Sequence, residues 1–447
     1  MKKMIMLVAI LYGGMANAQT TLSLAESKKM ALKNNVALKN SQLKVEAMQH
    51  VKKNAFTNYF PQVNASVFAM KALDPLVEAE VPGGNLPVYN GNPATLPGAT
   101  EFAYFPGMSV SAMDQLQVAQ VNLIQPLYTG GRIHNGNKLA QLGLDVAIQQ
   151  QALTEKSVLI STEQQYWQLV SLQEKEKTLA KYEELLVSLE KQVNDAYKAG
   201  LILKNDLLKV QLKQSELKSN KNRLLNGKKL ATMLFCQTIG MTYDSTLVLA
   251  EDLQELEAPQ SHFALTDAAV ANRIEYDLLQ KSVDAEQLQK KMARGENLPQ
   301  VAVGMSGFYY DGITENFEGT SNGLVFATLS IPISDWWGGS HKVKEHKIKE
   351  QIAINNFSDT ERSLKLQIEK GWIDLVQAYE MVGLMEATQV QADENLRVTQ
   401  DSYRQGVVTI SDLLEAQALQ IETSDKLIEA KAQYKLAITA YLQYTGR

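Results

Sequence analysis

A single cysteine, Cys236, stands in 447 residues, so the chain can form no internal disulfide. Its apolar, helical surroundings mark it as a buried, inert thiol, and no cysteine follows the expected cleavage site to carry a lipid anchor. The five histidines are scattered. His341 and His346, five apart in a Lys-rich stretch, miss the i,i+4 alignment of a helical metal pair. There is no glycine-rich phosphate loop with lysine and no nucleophile elbow. Neither an enzyme nor a cofactor or metal site is expected. A formal net charge of -5 leaves no broad basic surface, which argues against nucleic acid as a partner. Long apolar runs are missing too. None reaches the ~20 residues a spanning helix needs, so any membrane crossing must be made by strands.

What is present begins with Lys2 and Lys3, the apolar run Met4 to Tyr12, and Ala16-Asn17-Ala18 before Gln19. That pattern reads as an export signal over 1–18. The rest says the same thing twice. A shift of 238 positions pairs Asn34 with Asn272, Gln42 with Gln280, Lys52 and Lys53 with Lys290 and Lys291, and Pro61-Gln62-Val63 with Pro299-Gln300-Val301. A shift of 206 pairs Pro126 with Pro332, Leu169-Val170 with Leu375-Val376, Tyr197 with Tyr403, Gly200 with Gly406, Asp206-Leu207-Leu208 with Asp412-Leu413-Leu414, and Gly240 with Gly446. We therefore divide the mature chain into a first repeat (19–240), a linker containing Pro259 (241–262) and a second repeat (263–447), the two interlocked as one domain.

Within each repeat the order is helix, strand, strand, long helical hairpin. Helix is expected over 22–59 and strand over 63–69, where Val63, Ala65, Val67 and Ala69 alternate. Residues 71–108 hold six of the 11 prolines and read as a loop. A second strand lies within 115–125. From Arg132 to Tyr197 no proline occurs, and Leu172, Leu179, Leu186 and Val193 recur every seventh residue with Tyr182, Leu189 and Ala196 between, a coiled-coil pattern. At ~1.5 Å per residue such a helix is roughly 100 Å long. Gly200 ends it, and a second helix returns from Asn205 towards Gly240. The second repeat gives helix 265–297, strands 299–309 and 324–333, a loop at 311–323, a long helix to Tyr403, a turn at Gly406 and a returning helix. Its heptad positions Leu375, Val382, Gln389, Leu396 and Tyr403 are more polar, so part of that helix should face water.

The fold class follows: mainly α with a membrane β-barrel, four strands per protomer. The smallest transmembrane barrels have ~8 strands, and an open edge in lipid leaves backbone groups unpaired. One chain cannot close its own barrel. Two copies would give eight strands and a filled interior; three would give twelve and an aqueous lumen. Aromatic residues that favour bilayer interfaces flank the strands: Tyr59, Phe60, Tyr128, Trp336 and Trp337 at one end, Phe308, Tyr309 and Tyr310 near the other.

The chain resembles the TolC-like outer-membrane efflux family over essentially its whole mature length. The likeness rests on FPQV at Phe60–Val63 with LPQV at Leu298–Val301, on QPLYTGG at Gln125–Gly131 with IPISDWWGG, and on AYKAGLILKNDLLKVQ with SYRQGVVTISDLLEAQ. It implies a homotrimer with a twelve-stranded barrel in the outer membrane of a Gram-negative bacterium and a twelve-helix tunnel in the periplasm. It also implies a mixed helical equatorial region and partnership with a periplasmic adaptor and an inner-membrane pump. The expected function is a passive exit duct of a tripartite efflux or secretion system; the alternative is a periplasmic coiled-coil adaptor or structural protein. Gly200, Leu201, Ile202, Gly406, Val407 and Val408 at the hairpin turns are the expected adaptor contacts. Asp412 and Glu415, three apart on the last helix, share a face, and the resemblance implies an acidic constriction there, whose mutual repulsion would raise some pKa values. Helix-dipole stabilisation is the simpler role for such acids, and the one assigned to Asp206. Cargo and pump class are not legible.

Overall fold

The computed structural model describes residues 21–447 apart from 113–114, 255, 313–318 and 334; the expected export signal lies outside the described residues. The described residues form two compact units that each take segments from both halves: 21–49 with 142–284 and 351–447, and 50–141 with 285–350. Among the described residues no helix is long and apolar enough to cross a membrane.

The first unit is helical. The expected helix over 22–59 is two, α1 (Leu24–Asn34) and α2 (Val36–Thr57). Ser23 and Glu26 form a capping box that starts α1. Asn35 stops it: its backbone is extended, its amide donates to the Thr238 carbonyl (2.9 Å), and its Oδ1 accepts from Ala37 N–H (2.9 Å). A side chain that competes for backbone partners interrupts a helix without proline or glycine. The expected helix over 265–297 is also two, α5 (Thr266–Ala271) and α6 (Ile274–Glu296), parted at Asn272–Arg273.

Two hairpins follow, α3 (Arg132–Lys198) with α4 (Lys204–Ile239), and α7 (Asp335–Arg404) with α8 (Ile410–Tyr444). The heptad side chains Leu179, Leu186, Leu189 and Val193 of α3 are buried against Val210 and Leu217 of α4 and Ile410, Leu413 and Leu414 of α8. On α7, Leu375 and Val382 are buried while Gln389, Leu396 and Tyr403 are half-buried. Positions related by the 206-residue shift pack alike. Tyr166 meets Phe235 with ring centroids 6.1 Å apart at 64°, and Trp372 meets Tyr441 at 5.4 Å and 51°. Four helix ends share one Schellman cap: at Gly200, Gly240, Gly406 and Gly446, with φ between 69° and 80°, the next N–H reaches back to the carbonyl five residues earlier. Cys236 is buried, and burial pushes its thiol pKa up, which keeps it unreactive. A feature with no signal in the sequence is the parallel pairing of β1 (Thr21–Leu22) with β8 (Val248–Leu249).

The second unit is built on a four-stranded antiparallel sheet. Its strands are β2 (Gln62–Lys71), β7 (Gln115–Tyr128), β9 (Gln300–Asp311) and β10 (Thr320–Ser330), in the order β10-β9-β7-β2. β7 carries an irregularity between Pro126 and Tyr128, where proline cannot donate to the ladder. β10 starts at Thr320, four residues earlier than expected, and stops at Ser330. Part of the expected loop over 71–108 is β-structure: β3 (Val77–Val81) pairs with β6 (Met108–Ala112), and β4 (Gly84–Pro87) with β5 (Phe102–Phe105). Proline stands here at strand ends, in connections and in a 3-10 helix over Pro93–Gly98, so it marks the bends and not the absence of strands.

Candidate functional site

Two surfaces stand out, one in each unit. In the sheet, cross-strand register sorts side chains onto two faces. Val63, Ala65 and Val67 of β2 lie opposite Leu123, Val121 and Ala119 of β7; these in turn oppose Met305, Gly307 and Tyr309 of β9, and Met305 opposes Val325 of β10. This apolar face is uncovered in one chain: Val67 is 80% and Val325 81% exposed, with Val63, Val121, Met305 and Leu329 also exposed. The opposite face carries Asn64, Ser66, Asn122, Gln120, Ser306 and Asn322 in register, with Ser306 donating to Asn122 at 2.5 Å. An exposed apolar face of this extent is a site of contact with lipid or protein. The outer edges of β2 and β10 have no partner strand among the described residues.

Alternation narrows the aromatic assignment. Tyr309 lies on the apolar face, whereas Phe308 and Tyr310 share the polar face and stack on each other, centroids 6.0 Å apart at 22°. Three consecutive strand residues cannot all look the same way. At the other end Tyr59, Phe60, Tyr128 and Trp337 are exposed, joined by Phe56, whose ring meets Tyr59 (5.6 Å) and Phe60 (5.4 Å) edge-on. The side chain of Trp336 lies outside the described residues.

The second surface is the pair of hairpin turns. Gly200 and Gly406, at φ 74° and 73°, let the chain reverse, and a Cβ at either would meet nothing within 4 Å. Leu201 and Val407 project into solvent, 78% and 74% exposed. Ile202 and Val408 are half-buried, with Ile202 packed against the hairpin core. Leu203, 74% exposed, was not among the expected contacts. The side chains of Asp412 and Glu415 are both exposed and leave one helical face together. Asp412 is the third residue of a capping box: its carboxylate accepts from Thr409 N–H (2.8 Å) and Thr409 Oγ1 (2.7 Å). The Thr409 hydroxyl and then its backbone N–H hold the Asp412 pKa below the ordinary carboxylate value, helped by the charge of Lys209. Thr409-Ile-Ser-Asp412 carries the capping-box signature that could have assigned this role from sequence. α4 has Leu203 at the corresponding cap and no side-chain bond there. Asp206 lies close enough to the buried-side Tyr403 hydroxyl that, after burial itself, its charge pushes that phenol pKa up. Among the described residues no cluster of His, Cys, Asp and Glu could hold a metal ion.

Residues 265–447 match the family described as outer membrane efflux protein. The match falls within the second repeat. The fold of the chain recurs in solved structures over nearly its whole length. The outer membrane protein VceC from Vibrio cholerae is 12% identical with TM-score 0.74, covering 95% of this chain and 96% of that one. The CmeC outer membrane channel from Campylobacter jejuni is 16% identical with TM-score 0.73, covering 95% and 85%. A membrane protein from Pseudomonas aeruginosa is 14% identical with TM-score 0.76, covering 96% and 94%. At these identities the likeness is one of fold. No curated protein sequence matches this chain.

Proposed function

We propose that this protein is the outer-membrane exit duct of a tripartite efflux or secretion system, conducting substrates passively outward. Three copies pair β2 of one with β10 of the next, closing a twelve-stranded barrel whose apolar face meets lipid and whose polar face lines water. The single observation that carries this reading is the four-stranded sheet with one exposed apolar face and two open edges. In lipid each unpaired edge group costs several kcal/mol, which copies of the same chain remove. Tyr59, Phe60, Tyr128, Trp337 and Tyr309 sit at the bilayer interfaces. The six hairpins of the trimer form a periplasmic tunnel. Its turns, through Leu201, Leu203 and Val407, are the surface for a periplasmic adaptor, which connects the duct to an inner-membrane pump, and Asp412 and Glu415 narrow its mouth. A periplasmic adaptor has no use for an apolar sheet face, which disfavours that alternative.

Fractionation together with planar-bilayer recording tests the reading. Outer-membrane location and stepwise conductance from the purified protein are expected. A soluble periplasmic protein that never inserts would overturn it.

A further inference from the structure

The negative charge of the chain is not spread evenly. Between Lys71 and Arg132 there is no lysine, arginine or histidine, and five acids stand there, Asp74, Glu78, Glu80, Glu101 and Asp114, a surplus equal to the formal net charge of -5 on the whole chain. Two of these acids lie on the ribbon of β3 with β6. Register puts Val77, Ala79 and Val81 on one face with Ala112, Val110 and Met108, and puts Glu78 and Glu80 on the other, opposite Ser111 and Ser109. Every residue of β3 is exposed, and so are Met108 and Val110 across from it. Serine carries no charge, so neither carboxylate is offset across the ribbon. A two-stranded ribbon alone in water is marginal and gains stability from a third strand. Among the described residues β3 and β6 pair only with each other, which leaves the outer edge of β3 open. Pro75 and Pro82 flank that edge, and because proline cannot donate to a ladder they confine an added strand to about the length of β3. Exposed edges are commonly blunted by lysine. This one carries acids alone.

We propose that the open edge of β3 is a docking site for an extended segment of a partner protein in which basic and apolar residues alternate. Side chains of an added strand point to the two faces in turn. Its basic residues then fall beside Glu78 and Glu80, and its apolar residues beside Val77, Ala79 and Val81. Backbone bonds to the edge supply affinity, and the alternation supplies specificity. Opposite charges directly across a strand pair favour the pairing and like charges oppose it. That sets the edge against a second copy of this chain, whose own β3 would bring carboxylates onto Glu78 and Glu80. The docking stands on the ribbon alone, whereas its placement at the outer face of the membrane rests on the exit-duct reading.

The test is fluorescence anisotropy of labelled peptides with the full protein in mild detergent. A short peptide alternating lysine and valine should bind. One alternating glutamate and valine, and one with the same lysines and valines gathered in two blocks, should each bind at least about tenfold more weakly. The double variant Glu78→Lys with Glu80→Lys should reverse the charge preference, and Glu78→Gln with Glu80→Gln, which keeps the ribbon polar, should remove it. Equal binding of the alternating and block peptides would show attraction of charge without strand pairing and overturn the proposal, as would an unchanged preference in both double variants. Absence of peptide binding overturns it too; if Glu80→Cys chains then link to one another on oxidation, the edge belongs to a second copy. Peptide binding by a protein that gives no conductance in planar bilayers would support the docking site while defeating the exit-duct reading.

Discussion

The two halves of the chain keep the same joints and differ in what they attach to them. Both break the opening helix at an asparagine, both close the long hairpin over a left-handed glycine, and both pack an aromatic pair, Tyr166 with Phe235 and Trp372 with Tyr441. They part where the chain meets solvent. The first half inserts the ribbons of β3 with β6 and β4 with β5 between its two sheet strands. The second half carries the side-chain cap at Thr409 and the extra acid at Glu415. Backbone geometry and core volume tolerate few substitutions, whereas an exposed position can change sign at little cost in stability. The two halves differ along the exposed positions.

The comparison can be broken most forcefully in the sheet, where both halves contribute to one apolar face. Val67→Arg in β2 and Val325→Arg in β10 should each cost about 2–4 kcal/mol of membrane stability if near the bilayer midplane, seen as loss of outer-membrane insertion; normal insertion of either variant would deny that this face meets lipid. Next come the matched cores. Phe235→Ala and Tyr441→Ala each remove a fully buried ring and should each cost about 3–5 kcal/mol, read as comparable drops in thermal unfolding temperature. A large drop in only one would show that the halves are not energetically equivalent. Smaller still, Gly200→Ala and Gly406→Ala meet no atoms within 4 Å, so only the positive φ opposes them, about 1 kcal/mol each.

The smallest effect sharpens the difference at the turns. Because Thr409 lowers the Asp412 pKa, the cap contributes stability that is fully present above the ordinary carboxylate pKa and is lost as pH falls through the lowered value. Thr409→Val should move the acid midpoint of cation preference upward, towards the ordinary aspartate value. No shift in that midpoint would mean the hydroxyl does not control the charge.

Much of this was legible in the sequence. Proline-free heptads and paired glycines located both hairpins, because long helices and their reversals are governed by local chemistry. Alternation located β2, and the repeat carried the strand pair of the first half onto β9 and β10. The ribbons escaped because six prolines over 71–108 carry the signature of irregular chain while pairing is decided by partners some 30 residues away. The helix breaks escaped because Asn35 acts through a bond to Thr238, a distant carbonyl. Which of Phe308, Tyr309 and Tyr310 faces the apolar side followed only once register was known, although their adjacency already excluded all three.

The account turns on a sheet that a single chain leaves unfinished. Native mass spectrometry of the protein extracted from outer membranes in mild detergent measures its completion directly. Three copies per particle is the result predicted, and a stable monomer retaining its sheet without lipid or detergent would contradict it.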